Sequence, residues 1–177
     1  MSIFITLVFI LLAVIGLFLI AGLFIQKEYN IECSVIIFQS KEKVFDYIRI
    51  LNHQDYYNKW WMEEPQPHKT STGIDGTVGF ITAWDNRKNQ KGEQEIKKIT
   101  EGQRIDCELR FEKPFKNVAD TFMSTVSVEG GTKVSWGFSG KNKYPMNAVF
   151  KVFNLEKKLG DDMLEGLNKL KTIVENN

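Results

Sequence analysis

The chain has 177 residues, is 43% hydrophobic and 25% charged, and so excludes wholesale disorder while leaving room for one ordinary domain and a little more. A net charge of +1 gives no case for nucleic acid, which requires a concentrated cationic face. Two cysteines, Cys33 and Cys107, exclude a disulfide-rich scaffold.

The charge is unevenly spread, because all 23 basic and 22 acidic residues follow residue 25. Ile3 to Ile25 is an uncharged run rich in Ile, Leu, Phe and Val. At 1.5 Å per residue it makes a helix of roughly 34 Å, enough to cross a ~30 Å hydrocarbon core with some tilt. A cleaved signal would have a basic leader, a shorter apolar stretch and a small-x-small site. Here only Met1 and Ser2 precede the run, and Ala21-Gly22 is followed by more apolar residues. The run is therefore expected to be an uncleaved anchor over residues 1–27, with a globular domain over 28–177. Nearby basic residues, Lys27 and then Lys41 and Lys43, lie only on its C-terminal side, which favours a cytoplasmic domain. Gly16 and Gly22 stand six apart and do not form a small-xxx-small dimer motif.

After a short polar joint, Tyr29, Ile31, Cys33, Val35 and Ile37 alternate with polar residues and predict a strand. Ser40 is a good helix N-cap, and Val44, Phe45, Ile48 and Leu51 recur at helical spacing behind it. The aromatic stretch Tyr56–Trp61 follows, and Pro65 and Pro67 predict an extended loop. From Gly73 the pattern returns to strands. Val78, Phe80, Thr82 and Trp84 share one face, with Thr77, Gly79, Ile81 and Ala83 on the other. Asp85 to Gly92 reads as a polar turn, and Gly92 to Ile99 as a weaker, mostly exposed strand. Ile105, Cys107, Leu109 and Phe111 alternate with charged residues, the clearest half-buried strand of the chain. Thr121 to Val128 and Val134, Trp136 and Phe138 form two more strands around the hairpin turn Glu129-Gly130-Gly131. After Pro145 the period is helical again: a short helix over Val149, Val152 and Phe153, then a long one whose stripe is Leu159, Met163, Leu167, Leu170 and Val174. The fold class is α+β: a curved antiparallel sheet wrapped around a long C-terminal helix.

Four stretches in this order resemble the START-like SRPBCC superfamily, in particular its bacterial polyketide cyclase/dehydrase-like members. They are Ile37-Phe38-Gln39-Ser40-Lys41-Glu42-Lys43-Val44-Phe45 followed by Trp60 or Trp61, Gly76-Thr77-Val78-Gly79-Phe80, Thr132-Lys133-Val134-Ser135-Trp136, and Leu164-Glu165-Gly166-Leu167-Asn168-Lys169-Leu170-Lys171. The likeness spans about residues 30–175. It implies a helix-grip domain with a hydrophobic cavity between sheet and terminal helix. Superfamily members bind lipids, sterols, polyketides or plant hormones, and some are cyclases. It carries no universal catalytic set, so no catalytic residue is assigned.

Signatures of chemistry are sparse. His53 and His68 have no cysteine or carboxylate at zinc-like spacing, so no metal or cofactor is expected. Gly73, Gly76 and Gly79 read as turn geometry, and Cys33 and Cys107 as inert thiols. Glu93 and Glu95 share a strand face and are the paired carboxylates available for acid–base work, with Glu63-Glu64 as another option. The aromatics carry more. Phe80, Trp84, Phe111, Phe122, Trp136 and Phe138 fall on concave strand faces by parity and would line a ligand cavity opposite Met163 and Leu167. Trp60-Trp61 has two readings, a lid over the cavity mouth or contact with a membrane surface.

The expected function is a membrane-anchored START-like domain that binds a hydrophobic small molecule or lipid without chemistry. The alternatives are a cyclase- or dehydratase-like enzyme using Glu93 or Glu95 with Thr82 or Tyr144, and a protein-interaction module whose cavity is filled. Expected partners are the bilayer, through residues 3–25, and a hydrophobic ligand, with neither nucleic acid nor metal.

Overall fold

The computed structural model describes residues 3–62, 68–86 and 90–176. Its first element, helix α1 (Ile3–Phe24), is apolar on every side and mostly exposed, with Gly22 buried, and it is long and apolar enough to cross a membrane. The chain then enters β1 (Glu28–Ile37) and α2 (Lys41–Arg49). Ser40 caps α2 as expected, its Oγ accepting from the Lys43 amide at 3.3 Å.

That helix ends sooner than the spacing predicts. Leu51 stays buried but sits in a single 3-10 turn, Leu51–His53, whose first amides donate to the Asp75 carboxylate at 2.8 and 3.0 Å. Two single-turn helices follow, α3 (Gln54–Tyr57) and α4 (Lys59–Met62). Pro65, Pro67 and the Glu63-Glu64 pair lie outside the described residues.

Six strands then run as an antiparallel meander: β2 (His68–Thr72), β3 (Ile81–Asp85), β4 (Lys91–Thr100), β5 (Arg104–Lys113), β6 (Asn117–Val128) and β7 (Gly131–Lys141). The sheet order is β1-β7-β6-β5-β4-β3-β2. Helix α5 (Met146–Val152) and the long α6 (Leu155–Asn176) complete the chain. The expected α+β arrangement, a curved antiparallel sheet gripping a terminal helix, is what forms.

Three local expectations are corrected. The strand expected from Gly73 begins only at Ile81, because Gly73, Gly76 and Gly79 take φ values of 90°, 77° and 89° and turn the chain, leaving Val78 60% exposed. Strand β2 was not expected, since His68-Lys69-Thr70-Ser71-Thr72 offers no apolar alternation; it sits at the sheet edge, where polar residues are tolerated. Strand β4 is less exposed than expected, with Gly92, Gln94 and Ile96 buried on the concave face.

The core lies between that face and α6. Met163, Leu167, Leu170 and Val174 of α6 are completely or almost completely buried, together with Ile37, Val44, Ile48, Ile96 and Ile105. At about 1.5–3 kcal/mol for each large apolar side chain buried, this stripe outweighs helix propensity in holding α6. Gly166 lets α6 close tightly, since a Cβ there would stand 3.1 Å from both the Trp136 ring and the Tyr57 carbonyl.

The end of α1 is docked on α5. Asn147 Nδ2 donates to the carbonyls of Gly22 and Ile25 at 2.7 and 2.9 Å, and the Tyr144 hydroxyl donates to the Leu19 carbonyl at 3.1 Å. The Asn147 bonds occupy carbonyls that the helix C-terminus otherwise leaves unpaired, whereas the Tyr144 bond reaches a carbonyl inside the helix. One residue group later, the Asn142 amide donates to the Lys27 carbonyl at 2.8 Å and ties the joint to the end of β7.

Candidate functional site

A cavity of about 370 Å³ opens between the concave sheet and the α3–α4–α6 wall. Its floor is buried: Gln54, Asn58, Gln94, Thr121, Trp136 and Phe138. Its sides are the half-buried Trp61, Trp84, Leu109, Phe111 and Leu159, and its rim is Trp60, Asn86, Gln90, Lys113 and Pro114. Strand parity builds one side, because Trp84 pairs with Gly92 and Thr82 with Gln94, while Phe111 and Leu109 project from the next strand but one. Gly92 has no room for a Cβ, which would meet the Trp84 ring and the Arg110 carbonyl at 2.6 Å.

The aromatic wall is internally packed. Trp61 meets Trp84 edge-on at 5.4 Å between centroids, Trp84 meets Phe111 at 6.0 Å, and Trp60 meets Trp136 at 6.0 Å. Lys69 lies 5.0 Å from the centroid of the Trp61 ring while its Nζ is held by Asp55 at 2.6 Å. Both members of the Trp60-Trp61 pair therefore face the cavity, with Trp60 39% exposed at its mouth.

The floor is polar but uncharged. Trp136 Nε1 donates to Thr121 Oγ1 at 3.1 Å, and that hydroxyl donates to the Gly137 carbonyl at 2.8 Å. Asn58 Oδ1 accepts from the Trp60 amide at 3.0 Å. Among the described lining residues only Lys113, on the rim, carries a charge. Such a site suits an uncharged, largely apolar ligand with one or two hydrogen-bonding groups.

The residues expected to line the site divide into three sets. Trp84, Phe111, Trp136 and Phe138 line the cavity. Phe80, Met163 and Leu167 are buried in the closed core instead, because the cavity lies toward the N-terminal part of α6, where Leu159 takes their place. Phe122 is a correction of parity. It pairs with Gly137 and Asp106, on the convex face, with the Arg104 guanidinium 3.7 Å above its ring.

Glu93 and Glu95 also face the convex side, which removes them from the cavity. Arg110 Nε binds Glu93 at 2.5 Å, Nη1 binds Glu95 at 2.7 Å, and the same Nη1 contacts Glu108. The Arg110 bond, and after it the Lys97 bond, holds Glu95 below the usual carboxylate range, the opposite of what a general acid needs. Thr82 is buried with no hydrogen-bond partner among the described residues and is not among the cavity's described lining, and Tyr144 is committed to Leu19.

His53 stacks on Tyr47 at 4.3 Å, and His68 lies exposed on β2. Among the described residues no group of His, Cys, Asp and Glu could hold a metal. Burial pushes the Cys107 thiol up to about 12, and burial likewise raises Cys33, whose Sγ donates to the Gly160 carbonyl at 3.3 Å.

Gln54, Asn58, Gln94 and Thr121 were not anticipated. The available signal was a polar residue at each inward position: Gln94 two before Ile96, and Thr121 two before Met123.

No protein-family model and no curated protein sequence matches the chain. Solved structures do. The di-domain ARO/CYC StfQ from the steffimycin biosynthetic pathway superposes with a TM-score of 0.62 at 9% identity, over 85% of this chain and 51% of that one. Ara h 8.0201 gives a TM-score of 0.58 at 12% identity over 85% and 99% of the two chains. Protein MLL2253 from Mesorhizobium loti gives 0.62 at 9% identity over 84% and 98%. At these identities the likeness concerns the fold alone, the helix-grip arrangement of a curved antiparallel sheet around a long C-terminal helix.

Proposed function

We propose that this chain is a single-pass membrane-anchored START-like domain, with residues 1–27 as anchor and 28–177 as binding domain, that holds a hydrophobic small molecule or lipid between sheet and terminal helix. The observation that carries the reading is the cavity of about 370 Å³, with aromatic sides and an uncharged polar floor. Its size falls in the range of about 300–1,000 Å³ typical of small-molecule sites. Trp84, Phe111, Trp136 and Phe138 supply apolar area, and Gln54, Asn58, Gln94 and Thr121 orient the ligand's polar group. The anchor raises the local concentration of membrane-soluble ligands around the domain. The lysine excess that follows α1 favours the cytoplasmic side.

The test uses the full-length protein in lipid nanodiscs. Native mass spectrometry after gentle release, followed by organic extraction, reads any bound species. A stoichiometric apolar adduct in the wild type that disappears in Leu109→Trp, which fills the cavity, is the expected result. An adduct that survives Leu109→Trp is bound elsewhere and overturns the assignment, as does a wild type that remains empty when offered a panel of lipids.

A further inference from the structure

The cavity mouth and the end of α1 lie at the same end of the sheet. Following the register strand by strand, Glu28 pairs with Lys141, Gly140 with Ala119, Asn117 with Phe111, Lys113 with Lys91, and Lys91 with Asp85. The β3–β4 and β5–β6 turns, which supply the rim residues Asn86, Gln90, Lys113 and Pro114, therefore point the same way as the start of β1, where α1 is joined. The Tyr144 hydroxyl reaches the Leu19 carbonyl, six residues before Ile25 and so about 9 Å up the helix axis. The β7–α5 connection thus lies alongside α1, with an amphipathic tyrosine where tyrosines populate membrane interfaces.

Exposed apolar residues occur at both ends, with Phe38 64% and Ile74 76% exposed at the far one, so it is the join to α1 and the lysines that mark this end. Phe115, at the tip of the β5–β6 turn, is 64% exposed, and Phe153, after α5, is 67% exposed. Around them stand Lys113, Lys116, Lys143 and Lys151, none ion-paired among the described residues. Of the acids at this end, Glu28 and Glu112 are ion-paired with Lys141 and Lys91, Asp85 stands across the strands from Lys91, and Glu156 opens α6 three residues after Phe153, so the lysines remain in excess. At the opposite end of the sheet, Glu42, Glu101 and Glu129 interrupt the lysines. Exposed aromatics inside a ring of unmatched lysines complement a surface that is anionic above and apolar beneath.

We propose that this end of the sheet rests on the anionic surface of the bilayer, with Phe115 and Phe153 among the lipid headgroups, so that the cavity opens onto the membrane and takes its ligand from it. The proposal rests on the reading of α1 as a membrane span. The loop at the far end, with Ile74 76% exposed, stays in water.

Depth measurement by spin labelling separates the two. Nitroxides are placed by Phe115→Cys, Phe153→Cys, Ile74→Cys and Leu12→Cys, each in a Cys33→Ser, Cys107→Ala background of the full chain. Proteoliposomes contain phosphatidylcholine with phosphatidylglycerol. Collision with a water-soluble nickel chelate is expected to fall several-fold at 115 and 153 relative to 74, with 12 shielded most. Labels at 115 and 153 as accessible as 74, with 12 still shielded, overturn this proposal and leave the anchor standing. A label at 12 open to the chelate overturns the anchor and this proposal together. The unaltered chain provides a check independent of cysteine replacement. In nanodiscs containing phosphatidylglycerol, amides of residues 113–117 should exchange several-fold more slowly than in phosphatidylcholine alone, while residues 73–79 do not change. Equal exchange in both lipids overturns the proposal.

Discussion

The side-chain amide of Asn147 donates to the backbone carbonyl of Gly22 at 2.7 Å, so α5 holds the end of α1 by a buried hydrogen bond rather than by the covalent joint alone. Replacing Asn147 by Ala removes this bond and the part-buried one to Ile25, leaving the buried Gly22 acceptor unpaired at a cost of about 1–3 kcal/mol. The expected outcome is a lower Tm of the full-length protein in detergent and faster amide exchange across residues 25–28.

Two glycines of α1 provide a matched pair. A Cβ at Gly22 would stand 3.1 Å from Ala148 Cβ and 3.2 Å from the Tyr144 ring, whereas one at Gly16 meets nothing within 4 Å. Gly22→Leu should push α5 away and lower Tm, and Gly16→Leu should leave it unchanged. Equal effects of the two, read by thermal unfolding, would mean that the contact at Gly22 is not tight.

In the cavity floor, Thr121 relays Trp136 to the Gly137 carbonyl. Thr121→Val keeps the volume but strands the buried indole N–H, at an expected cost of about 1–3 kcal/mol. Trp136→Phe in the same background should recover part of that loss. Urea denaturation of the four proteins forms the cycle that measures the coupling.

The sheet's two faces predict opposite consequences for two aromatics. Trp84→Ala opens the cavity wall and should abolish or strongly weaken ligand retention. Phe122→Ala should retain ligand while losing stability, because its ring covers Gly137 and lies beneath Arg104 on the other face. Adduct occupancy by native mass spectrometry reads the first, and Tm reads the second.

The Arg110 cluster gives a sign to the pH dependence. Arg110, then Lys97, lowers Glu95 in the folded state, so the pair contributes stability above the unfolded carboxylate value of about 4.3 and loses it as pH falls through the lower, folded value. Solvent screening keeps this contribution under about 1 kcal/mol. Below about pH 4 the wild type should lose Tm faster than Glu95→Gln, and added salt should narrow the difference.

The sequence was most legible where one residue type meets one environment. The α6 stripe and the β1 and β5 alternations announce a single buried face, and Ser40 announces a cap. It was least legible where tertiary contact decides. The β2 edge strand is made from polar residues that borrow their partners from β3, and nothing local distinguishes it from a loop. Phe122 shows the limit of parity: in Thr121-Phe122-Met123 the bulkiest side chain faces outward, because a threonine hydroxyl is wanted inside and Gly137 leaves a seat on the convex face. The cavity's polar floor was hidden for a related reason, since Gln94 and Thr121 look like surface residues until the strands on either side enclose them.

All four tryptophans of the chain, Trp60, Trp61, Trp84 and Trp136, surround the cavity. Intrinsic indole emission therefore has no contribution from distant parts of the molecule. Any change in its colour, lifetime or quenching is a signal from the binding chamber itself, so occupancy can be followed in the unlabelled protein in real time.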